Sequence, residues 1–176
     1  MLKNTTQNYG VIAKLFHWVM ALLMMGMLAM GNFFGAFPKE WRSDVFLTHK
    51  SLGLLILFLV TLRIIWKFMN KSPEPSHRTP VYIRYAGYAA HGLLYIGMII
   101  MPLSGWIFAS HKYPLTFFNW FNVPYISGVD DKGLHHLASE THEIAANILI
   151  FLIGLHIVAA LYHQFILRDK LINRMI

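Results

Sequence analysis

The stretch Thr141 to Leu167, THEIAANILIFLIGLHIVAALYHQFIL, constrains the chain more than any other. It has the length and apolarity of a membrane-spanning helix, yet it carries His142, His156 and His163. A helix turns about 100° per residue, so the step from His142 to His156 falls about 40° short of four turns and rises about 21 Å. The two imidazoles therefore share a face at opposite depths of a bilayer. Ionisable groups inside a membrane are costly and usually face the bundle interior, where they do chemistry. Placed this way, the pair points to ligands for two stacked cofactors.

Composition supports a membrane setting. Of 176 residues, 56% are hydrophobic and 13% charged, a balance outside the range of soluble domains. Four apolar spans are expected, at about 15–37, 45–69, 86–109 and 141–167, giving an all-α integral membrane four-helix bundle in one domain, 1–176. The first span has too long an apolar run for a signal peptide and is expected to stay as an anchor. The net charge of +7 belongs to residues flanking the spans and not to one aromatic-interleaved patch, which argues against nucleic acid. With the N-terminus inside, Lys3, Lys14, Arg63, Lys67, Lys71, Arg78, Arg84, Arg168, Lys170 and Arg174 fall on the cytoplasmic side. Only Lys39, Arg42, Lys50, Lys112 and Lys132 fall outside, so the positive-inside rule puts both termini in the cytoplasm. The chain has no cysteine, which excludes disulfides, thiolate ligands and iron–sulfur clusters.

Along the chain, His17-Trp18 stands near the cytoplasmic end of the first span, followed by a Met- and Gly-rich run best read as adaptable packing. His49 lies about one turn inside the second span, and Arg63 follows it at the same 14-residue step. Arg63 either snorkels to the interface or clamps a buried carboxylate such as a cofactor propionate. The Pro-containing stretch from Lys67 to Arg84 is a cytoplasmic linker in which His77 is solvated. The third span carries His91, and Pro102 is expected to kink it. Residues 110–140, with the run YPLTFFNWFNVPYI, read as an aromatic cap at the outer interface that could also cover a substrate entrance. Asp130, Asp131, His135 and His136 imitate a metal site but read better as a solvated loop.

An up-down bundle fixes relative depths. His49 and His142 share the outer half; His17, His91, His156 and His163 share the cytoplasmic half. His49 therefore faces His142, while His17 is the preferred partner of His156 and His91 competes for that place. Two depth-matched imidazole pairs suit haem, whose ring fits an apolar core and whose iron, doubly ligated, has no open position and carries electrons. His163, one further heptad along, could meet a propionate or a quinone carbonyl, and His91 could do the same. Glu143 could orient His142 or favour a positive helix N-terminus.

This order of His17-Trp18, His49 with Arg63, and His142-Glu143 with His156 resembles the short bacterial cytochrome b561 family over essentially the whole chain. It is also similar to the cytochrome b subunits of nickel–iron hydrogenases and formate dehydrogenases. The resemblance implies two haem b groups, on His17 with His156 and on His49 with His142, and electron exchange with quinone in the bacterial inner membrane. Some members are associated with superoxide oxidation, although the near-neutral outer face of this chain supplies no steering for superoxide. The physiological donor is open, as are a protein redox partner and a homo-oligomer. Two other readings stand beside the dihaem carrier: a membrane-anchor cytochrome b of a larger dehydrogenase, and a haem-free proton or metal transporter.

Overall fold

The structure is a computed structural model and describes residues 1–74, 79–110, 115–124 and 131–176. Four helices dominate it: α1 (Val11–Asn32), α2 (Arg42–Met69), α3 (Val81–Ala109) and α4 (Lys132–Phe165). All four are long and apolar enough to cross a membrane. Between α3 and α4 lies an antiparallel hairpin, β1 (Leu115–Phe117) with β2 (Phe121–Val123), in the register Leu115↔Val123 and Phe117↔Phe121. His77 and Asp130 lie outside the described residues.

The helix ends have local causes. Proline 80 precedes α3 and suits the start of a helix, where its missing N–H costs nothing. Asp131 caps α4, its carboxylate accepting from the amides of Gly133 (2.9 Å) and Leu134 (3.1 Å). That cap lengthens α4 by nine residues over the span expected from hydropathy, and it places His135 and His136 on a helix instead of in a loop. At the other extreme, α1 stops at Asn32. Residues Phe34–Ala36 and Lys39–Trp41 form 3₁₀ turns, and Arg42 donates to the carbonyls of Phe37 (3.1 Å) and Gly35 (2.8 Å), so the expected span to residue 37 is shortened.

The close-packed helix pairs are α3–α4, α1–α2 and α2–α3. Their shared core holds Met20, Met24, Met27 and Leu28 of α1, Ile56 and Val60 of α2, Met98 and Met101 of α3, and Ala145 and Leu149 of α4. The methionines thus pack, as their unbranched, polarisable side chains allow. Gly97 lets α3 approach α4: a Cβ there would stand 2.7 Å from Leu149 Cδ2. Outward, Leu22, Phe58, Ile65, Ile144, Ile148, Phe151 and Val158 are exposed, an apolar belt that water would not tolerate and lipid would.

One end of the bundle gathers the termini. Trp18 Nε1 donates to the carbonyl of Met175 (2.7 Å), Lys14 Nζ to that of Ile176, and Arg174 to that of Glu74 (2.7 Å). Asn4 donates to the carbonyl of Lys71 (3.0 Å), so both termini lie with the residues that follow α2. The hairpin sits against α2 toward the opposite end.

Candidate functional site: two histidine pairs in the bundle

At the hairpin end, His49 of α2 and His142 of α4 face each other with ring centroids 6.2 Å apart and planes at 74°. At the termini end, His17 of α1 and His156 of α4 also stand 6.2 Å apart, with planes at 62°. Neither α1–α4 nor α2–α4 is a close-packed helix pair, so each histidine pair spans a gap between helices that do not interlock. The buried Met, Ile, Val and Leu core lies between the two levels.

The spacing has a direct chemical reading. A metal–imidazole nitrogen bond is about 2 Å and the ring centroid lies about 1 Å behind the nitrogen, so two trans imidazoles have centroids roughly 6 Å apart. Both pairs match. His91 lies 5.4 Å from His156, too short for that arrangement. No group of three or more His, Asp or Glu among the described residues is arranged to hold a metal ion. Each pair can therefore supply two axial ligands to a metal whose other positions come from a planar macrocycle, which is the donor set of a six-coordinate haem.

His142 is oriented for that role. Its Nδ1 donates to the carbonyl oxygen of Met101 at 2.8 Å, which leaves Nε2 as the lone-pair nitrogen. Gly105, one helical turn on, makes room for the ring: a Cβ there would stand 2.9 Å from His142 Cε1 and Nδ1. Gly31 of α1 flanks His49 more loosely, at 3.5 Å from its Cε1. A crevice of about 110 Å³ lies at His49 and His142 and is lined chiefly by apolar side chains such as Met27, Leu54, Trp106 and Leu115. Pro102 lies inside α3 without ending it, next to the Met101 carbonyl that His142 uses.

At the termini end, Arg63 Nη2 lies 3.3 Å from His17 Nδ1, and its guanidinium sits over the ring of Tyr95 at 5.5 Å. An arginine only donates, so in this contact His17 Nδ1 accepts. With Nε2 bound to a metal, Nδ1 would carry the hydrogen, and Arg63 would have to find another acceptor. His163 is engaged elsewhere: its Nδ1 lies 2.6 Å from Asp169 Oδ2, in a nearly buried pair that Thr79 also joins (3.4 Å). Its Nε2 is not used in that pair.

Other sequence candidates separate from the pairs. Asp131 caps α4, His135 packs on Phe108 (4.9 Å) and His136 approaches Glu140 (3.5 Å), so these residues are helix-cap and helix-surface groups. Glu143 is exposed and about three turns into α4, too far to meet the helix N-terminus, and the partner of His142 is a backbone carbonyl instead. The Met101 carbonyl and Ser51 were not legible as site residues. Gly105 was the available signal, since a residue without a side chain lets a ring approach its helix.

The family model described as prokaryotic cytochrome b561 matches residues 8–176. The chain is 30% identical to cytochrome b561 homolog 2 of Escherichia coli (strain K12), covering 98% of this chain and 93% of that protein. It is also 30% identical to cytochrome b561 homolog 1 of the same organism, over 90% and 91%. Against a probable superoxide oxidase CybB of Yersinia pestis it is 24% identical, over 96% of each chain. Four helices able to span a membrane and a match across nearly the whole sequence make this chain a member of the prokaryotic cytochrome b561 family, multi-pass bacterial membrane cytochromes that bind haem b.

Proposed function

We propose that the protein is a dihaem b-type cytochrome of the bacterial inner membrane that carries electrons between its outer side and the quinone pool. The observation that supports this reading most is the repetition of one 6.2 Å imidazole pair at two levels of α4. His49 and His142 would hold one haem, and His17 and His156 the other. Haem b supplies reversible one-electron chemistry at its iron. The residues do the rest. The paired imidazoles would hold the haem iron and leave no place for a further ligand, the Met101 carbonyl fixes the His142 tautomer, and the apolar core would keep water from the path between the levels.

Both termini are placed in the cytoplasm on the charge asymmetry of the sequence, which makes the termini end the cytoplasmic one. Arg63 would turn from His17 to a propionate, the acceptor that a bound haem offers nearby. His163 and His91 are the candidates for contact with a quinone or a propionate, His163 through the Nε2 that Asp169 leaves unused. Oxidation of superoxide at the hairpin end is a narrower version of this reading, prompted by the name of the Yersinia pestis relative.

Quinone exchange is tested in proteoliposomes. Haem reduced by a membrane-impermeant donor on the hairpin side should be reoxidised on adding a ubiquinone analogue. Reduced haem that persists in its presence refutes the quinone assignment.

A further inference from the structure

We propose that the β1–β2 hairpin is a lid clipped over the His49–His142 crevice, and that the hydroxyl of Ser51 is the clip. Ser51 lies two residues beyond His49 on α2 and its side chain is fully buried. Its Oγ donates to the carbonyl of Leu47 (2.9 Å), the ordinary back-bond of a helical serine, and that leaves an oxygen lone pair for a second partner. The partner is the amide of Phe118 at the tip of the hairpin, 2.9 Å away.

Phe118 needs such a partner. Its φ is 47° and that of Asn119 is 60°, and the Trp120 amide donates to the Phe117 carbonyl (2.8 Å), which together make a tight turn with two left-handed central residues. Asn is at home there; a bulky aromatic is an outlier and persists only where the surroundings impose it. Beyond the turn, Trp106 Nε1 donates to the carbonyl of Pro124 (3.2 Å) and ties the hairpin to α3 as well. Between these two ties Leu115, only 2% exposed, turns inward and lines the crevice beside His49 and His142. Trp120 and Phe121 face out, 79% and 57% exposed. A polar serine buried in an apolar bundle and holding a strained turn over the crevice makes the hairpin a filter on what reaches the hairpin-end site. That consequence for electron entry rests on the redox reading above; the lid itself does not.

The chain has no cysteine, so Leu115→Cys gives the holoprotein a single buried thiol that a maleimide reaches only when the lid lifts. Adding Ser51→Ala should raise its labelling rate about tenfold, the factor expected from losing one buried hydrogen bond and stranding the Phe118 amide. An unchanged rate overturns the proposal. Should the Ser51→Ala protein fail to fold, amide hydrogen exchange in the unaltered protein decides. Phe118 should exchange at least about tenfold more slowly than Asn119, and equal rates overturn the clip. Neither readout uses haem chemistry. A colourless protein with a working clip would refute the redox reading alone, and a dihaem protein with unaltered labelling would refute the lid alone.

Discussion

His142 and Met101 are joined by a 2.8 Å hydrogen bond in which the imidazole Nδ1 donates to a backbone carbonyl, so α3 sets both the tautomer and the direction of a ring that belongs to α4. Gly105 completes the arrangement by leaving the space the ring occupies. An absent side chain and a main-chain oxygen on one helix thus orient a ligand-type histidine on its neighbour.

Gly105→Ala should therefore disturb the hairpin-end pair, because its Cβ would fall 2.9 Å from the His142 ring. Haem content at that site is expected to fall several-fold, read from the absorbance per chain. Gly31→Ala adds the same methyl group at an ordinary 3.5 Å from His49 and should leave the content unchanged. Equal losses in the two variants would show that the fit around His142 is not what matters.

The two levels should be separable. His49→Ala or His142→Ala is expected to remove one haem and spare the other, since the pairs sit at opposite ends of the core. At the termini end, His17→Ala should remove the remaining haem while His91→Ala keeps it, because the His91–His156 separation of 5.4 Å is too short for trans ligation. The reverse result would assign His91 as the ligand.

Arg63 lies near one pair only, within 3.3 Å of His17. A cation beside a redox centre favours the reduced, more electron-rich state, so Arg63→Gln should lower the midpoint potential of the termini-end haem. The shift expected is on the order of tens of millivolts, with little change at the other haem. A redox titration resolving both centres reads it directly, and equal shifts at the two would show that Arg63 acts through the whole bundle.

Much of this was legible in the chain because membrane depth and helical period are one-dimensional. The step from His142 to His156, and its echo from His49 to Arg63, follow from residue number alone, and the structure brings His49 to His142 as depth matching required and brings both His17 and His91, the two candidates that depth left open, to His156. What was not legible depends on three dimensions or on main-chain atoms. Hydropathy could not see that Asp131 would start α4 nine residues early, since the added turns are polar. The sequence offered Glu143 as an orienting group or as a charge for a helix N-terminus, whereas a carbonyl of α3 orients His142, and Ser51 stood as an unremarked helical serine. His163 looked free to face a cofactor until the chain turned back through Arg168 and Lys170, both with left-handed backbones, and brought Asp169 to its Nδ1.

Whether each imidazole pair holds one haem iron is decided by a redox-titrated optical spectrum of the purified protein with haem counted per chain. A low-spin b-type spectrum, two haems per chain and a titration that needs two one-electron components are expected. A fully assembled protein that is colourless, or that carries a single haem titrating as one component, would contradict one haem iron per pair.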